Sequence, residues 1–264
     1  MLKPSLEEVK ALAKQYNTIP VFYEFSADNQ TPLNIYTALS KDSRNSFILE
    51  SVSNGVQWDR YSFVGVSPKE EIRITGNTAE IRTGDKTETK EVEQPIAFLK
   101  ERMAAYRSPV LEGAPNFTGG LIGYFGYDTV RYMEKKLTHV PEDDIHMPDC
   151  HLFLYEELLA YDHLTSNGIV ILNLHTDGDL GAQYAAAQWR AEELADIVRH
   201  YDPQPQVRQH HGESVVRSNL TKEQYSQMVR DAKEYIRNGD IFQIVLSQRF
   251  EISNPPDSFS VYRK

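Results

Sequence analysis

Apolar and polar positions change their spacing several times along the chain, and each change marks an element. Ser5 with Glu8 three residues later is a capping-box pattern, and Leu6, Val9, Leu12, Ala13 and Tyr16 recur on one side of the helix it opens. Residues 19–26 read as a strand and 28–30 as a turn. Thr31-Pro32 sets an N-cap before a helix-starting proline, which predicts a short helix to about Leu39. Strands are expected over 46–52 and 61–66, and 71–75 and 78–83 alternate around Gly76-Asn77, a two-residue hairpin turn. Residues 95–106 have helical spacing, with Ile96, Phe98, Leu99 and Met103 as the apolar set. Residues 117–128 form a strand or bend rich in glycine and aromatic residues.

Further along, 152–161 and 168–175 read as two antiparallel strands, and 182–200 as an alanine-rich amphipathic helix. Residues 202–219 are polar, contain proline and lack periodicity, which suits a linker. Thr221 with Gln224 opens a last helix whose inward face is Tyr225, Met228, Val229, Ala232, Tyr235 and Ile236, and Gly239 stops it. A strand is then expected over 241–250. One of its faces would carry Ile241, Gln243, Val245, Ser247 and Arg249; the other, nearly all apolar, would carry Phe242, Ile244, Leu246, Gln248 and Phe250. Helical spacing resumes at 258–264. Strands in runs, without strict alternation with helices, predict an α+β fold of antiparallel sheets packed with helices. The linker divides it into an N-terminal domain over 1–201, the linker itself over 202–219 and the start of a second domain over 220–264.

Composition narrows the function classes. The chain has 264 residues, 40% hydrophobic and 25% charged, ample for a globular core. A net charge of −10 without a compensating basic block argues against nucleic-acid or anionic-membrane partners, while a local cationic pocket for an acidic ligand stays open. The single cysteine, Cys150, excludes an internal disulfide framework and fits a reducing compartment. No apolar run nears the roughly 18 residues that span a bilayer, and no signal-peptide core is present, so a cytoplasmic location is expected. The glycines at 119, 120, 123 and 126 do not form a dinucleotide fingerprint. His146, Asp149, Cys150 and His151 match no zinc spacing, and no metal site is expected among these residues. The acid pairs Asp143-Asp144 and Glu156-Glu157 read as solvated faces.

Two stretches say more. Residues 239–250 (Gly-Asp-Ile-Phe-Gln-Ile-Val-Leu-Ser-Gln-Arg-Phe) resemble the start of the chorismate-binding core shared by anthranilate synthase component I, aminodeoxychorismate synthase component I, isochorismate synthase and salicylate synthase. In that family the water-adding members carry a lysine base at the position of Gln243. An amide has no useful basicity near neutral pH, so Gln243 favours the branch in which ammonia attacks the ring. The resemblance implies that Gln243 faces the reacting ring and that Ser247 and Arg249 line the same substrate-binding face.

Ser46-Phe47-Ile48-Leu49-Glu50-Ser51 and Arg60-Tyr61-Ser62-Phe63-Val64-Gly65 are similar to two motifs of anthranilate synthase component I. The family has Leu, Gly and Ile where this chain has Ile48, Asp59 and Val64. The first motif contributes there to the allosteric tryptophan site, which makes Leu49, Glu50, Ser51 and Arg60 candidate tryptophan-binding residues. A free amino acid presents an ammonium and a carboxylate, so acceptors such as Glu50 and Ser51 and a donor such as Arg60 suit it. Residues 120–128 and the acidic 141–144 also fit the family. The resemblance thus implies the first half of a feedback-inhibited large subunit that turns chorismate and ammonia into anthranilate and pyruvate. Ammonia would come from a glutamine amidotransferase partner. Mg²⁺ would be held by glutamates in motifs this chain lacks, and 1–264 is expected to be inactive alone. Two other readings remain: aminodeoxychorismate synthase component I, and a non-catalytic tryptophan-binding module.

Overall fold

Ser5 caps the first helix, α1 (Leu6–Leu12), as its spacing predicts: the Glu8 N–H donates to Ser5 Oγ, and the Ser5 N–H donates to the Glu8 carboxylate at 2.8 Å. The computed structural model describes residues 1–41, 43, 45–50, 60–134, 136–138, 140, 142–203 and 214–264. It divides into two units, Met1–Pro203 and Gln204–Lys264.

The first unit continues with β1 (Thr18–Ser26), α2 (Pro32–Ser40), β2 (Ser46–Leu49), β3 (Tyr61–Val66), β4 (Glu70–Thr75), β5 (Thr78–Thr83), β6 (Lys86–Glu91) and α3 (Pro95–Ala104). It ends with β7 (Gly120–Phe125), β8 (Cys150–Tyr155), β9 (Glu157–Asp162), β10 (Asn167–His175) and α4 (Leu180–Arg199). Two five-stranded sheets result, in the orders β1-β10-β9-β3-β2 and β6-β5-β4-β8-β7, and the paired strands run antiparallel. One face of the first sheet (Val21, Val64, Leu159, Val170, Leu172) packs under α1, α2 and α4 through Val9, Ile35, Ala191, Leu194 and Val198. Its other face (Ala160, Leu158, Ile169, Ile171, with Phe22, Phe47 and Phe63) meets Tyr155, Phe153 and Ile122 of the second sheet. The second sheet's own core (Ile72, Ile74, Ala79, Leu152) is closed by Leu99 and Phe98 of α3. The α+β architecture of antiparallel sheets packed with helices is therefore as the strand runs predict.

Close approach to an aromatic ring requires glycine at two positions of the first sheet. Gly65 lies opposite Phe47 and Gly168 opposite Phe25, and in both places a Cβ would collide with the aromatic ring crossing it.

Two expectations are corrected here, and one strand appears that the pattern did not mark. Residues 152–161 are not one strand. Tyr155 pairs with Gly120 in the second sheet, Glu157 pairs with Leu172 in the first, and Glu156 is the joint. Nearly all of β9 is buried and β8 is buried or half-buried, so the apolar run carries no sign of the change of sheet. Strand β6 (Lys-Thr-Glu-Thr-Lys-Glu) has no apolar alternation and is fully exposed; it is a charged edge strand, for which polarity rather than period is the rule. The stretch read as a linker contains β11 (Val216–Ser218).

The second unit also holds α5 (Lys222–Arg237), β12 (Phe250–Ile252) and α6 (Ser258–Tyr262). Helix α5 has the predicted capping box at Thr221 and Gln224, and Gly239 after it adopts φ +81°. The strand predicted over 241–250 is corrected: among the described residues 241–249 join no strand, and Phe250 enters a ladder, three residues long, against β11. A strand is completed by its neighbours, and among the described residues of this unit three are offered, those of β11.

Candidate functional site

The antiparallel register of β2 and β3 sets Leu49 opposite Phe63, so the chain leaves β2 through Glu50 at the same end at which Arg60 leads into β3. Strand β9 ends there as well, with Asp162 opposite Tyr61. Three of the four residues marked for an amino-acid effector are therefore brought to one end of the first sheet. Leu49 is exposed, Glu50 half-buried, and Arg60 presents a side chain 45% exposed. Ser51, the fourth, lies outside the described residues.

Arg60 is not a loose cation. Its Nε donates to Asp162 Oδ1 at 3.0 Å and its Nη2 to Oδ2 at 2.6 Å, while the guanidinium sits 5.0 Å from the centre of the Tyr61 ring. The Asp162 side chain is 3% exposed. Burial alone would raise its pKa. The bonds from Arg60, the Leu164 N–H and Thr165, together with the Arg60 charge, outweigh burial and hold the carboxyl below its ordinary value. The next residue adds two ties: the His163 N–H donates to the Arg60 carbonyl at 2.9 Å, and His163 Nε2 meets Ser62 Oγ at 2.8 Å. Asp162 and His163 escaped the sequence reading, because nothing in a strand-end Tyr-Asp-His says which strand lies beside it.

The substrate-face candidates belong to the second unit. Gln243 and Ser247 are exposed on the unpaired stretch, so the expected alternation of one wet and one apolar face is not formed. Arg249 is half-buried; its N–H donates to Asn219 Oδ1 at 2.8 Å and its Nε to Glu251 at 3.2 Å. Among the described residues no three His, Cys, Asp or Glu side chains converge so as to hold a metal ion, so no residue here is assigned to Mg²⁺.

Weaker candidates also find their places. His151 Nε2 lies 2.8 Å from the buried Glu71, which Arg73 also engages at 2.7 Å. For Glu71 too, burial pushes upward and is outweighed, first by the His151 hydrogen bond and then by Arg73, leaving the carboxyl below its ordinary value. Burial and the nearby Asp149 charge push the Cys150 thiol up to about 11, the signature of an inert structural cysteine. Glu156 and Glu157, read as a solvated face, are both engaged: Glu156 with Lys69 at 2.7 Å and His175 at 3.0 Å, Glu157 with Arg190 at 2.8 Å. A pair of adjacent acids cannot reveal from sequence that each faces a cation from a distant part of the chain.

Residues 45–264 match the family model of the chorismate binding enzymes, and the chain belongs to that family. Anthranilate synthase component 1 of Acetivibrio thermocellus is 38% identical over 275 aligned positions, spanning 100% of this chain and 54% of the relative. The component 1 of Pseudomonas aeruginosa is 36% identical over 268 positions, spanning 97% and 53%. In fold, the crystal structure of anthranilate synthase component I from Streptococcus pneumoniae matches with a TM-score of 0.60 at 26% identity, covering 81% of this chain and 46% of that one. The chain spans about half the length of the curated relatives it matches. No helix among the described residues is long and apolar enough to cross a membrane.

Proposed function

We propose that the chain forms the N-terminal half of a large, chorismate-using component of anthranilate synthase. The observation that carries this reading is end-to-end similarity: relatives of that name align over essentially all of the 264 residues, with 38% identity in one case. In this reading the complete enzyme adds ammonia to chorismate and eliminates pyruvate to leave anthranilate. A glutamine amidotransferase subunit supplies the ammonia, Mg²⁺ is held by residues outside this chain, and the assembly is cytoplasmic. Gln243 faces the reacting ring, where a neutral amide can donate and accept hydrogen bonds but cannot deprotonate water. Ser247 and Arg249 bind the substrate's polar groups from the same side, once a neighbouring strand completes the ladder that residues 241–249 lack here. The chain's own first unit contributes regulation: Leu49, Glu50, Ser51 and Arg60 bind L-tryptophan as a feedback inhibitor.

Purified 1–264 with chorismate, ammonium and Mg²⁺ is expected to release no fluorescent anthranilate, and release would overturn the half-enzyme reading. A chimera joining 1–264 to the C-terminal half of the Acetivibrio thermocellus relative is expected to make anthranilate and pyruvate. Aminodeoxychorismate as the product would move the chain to the folate branch of the family. The Leu49-Glu50-Ser51 and Arg60-Tyr61-Ser62-Phe63 motifs favour the tryptophan-regulated branch.

A further inference from the structure

We draw no further inference here: the strongest candidate, the cleft of about 660 Å³ where α3 meets the start of β1 and the end of β10, carries nothing, because its cations Lys69 and Arg102 are held by Glu156 and Glu70 and nothing in the structure shows what ligand would occupy it.

Discussion

The two units of the chain bury their apolar residues very differently. Met1–Pro203 has three clusters of buried side chains tying both sheets to four helices, with Ile19, Ile72, Ile171 and Val198 fully enclosed. Beyond Pro203, Ala232 is the one described residue that is buried. There Tyr235 is 55% exposed, and Phe242, Val245 and Phe250 are also open to solvent. The sequence patterns of the two units are nevertheless alike in quality: α5 opens on a capping box just as α1 does. A helix satisfies its backbone internally, so a capping box and a 3.6-residue period yield it wherever they occur. A strand does not, which is why 241–248 join no ladder among the described residues while β9, no more apolar, is locked between β10 and β3.

Hydrogen exchange offers the largest effect. The amides of Val170 and Ile171, central in β10, are expected to open only with global unfolding, and those of α5 to exchange at least about a thousandfold faster. Equal protection in both would erase the distinction between the units. Next come core truncations. Ile171→Ala should cost about 3–4 kcal/mol in a thermal or denaturant melt. Met228→Ala in α5 should move the main transition by less than about 0.5 kcal/mol; a larger shift would show that α5 shares the first unit's core.

The two capping boxes give a smaller, sharper contrast. Ser5→Ala should lower the stability of the first unit by about 1 kcal/mol, because α1 is anchored to that core by Val9. Thr221→Ala should reduce helical circular dichroism without displacing the melting transition. The smallest effect concerns acid. Asp162 has a folded pKa below its ordinary 3.8, so its contribution is fully present above about pH 4 and is lost as pH falls through the lower folded value. Asp162→Asn should flatten that part of the stability–pH profile, and an unchanged acid limb would mean that other carboxylates govern it.

What could be read without a structure follows the range of the interaction concerned. Helices α1, α2 and α5, the Gly76-Asn77 hairpin and the α+β class rest on caps, turns and periods spanning a few residues, and these were legible. The motifs that mark Leu49, Glu50 and Arg60 as candidate effector residues are local and were visible in the sequence. Their meeting at one sheet end depended on register, and the residue that orders Arg60 comes from a strand about a hundred positions away.

By itself, then, the sequence determined the identities of the chemistry-bearing side chains, the helices, and family membership through the order of its motifs. Only the tertiary structure decided that 152–161 would divide between two sheets at Glu156, that polar β6 would be a strand, and that Arg60 would be pinned by Asp162. Each of these turns on a partner from elsewhere in the chain, and no local pattern of apolar and polar residues encodes which distant strand or charge will stand opposite.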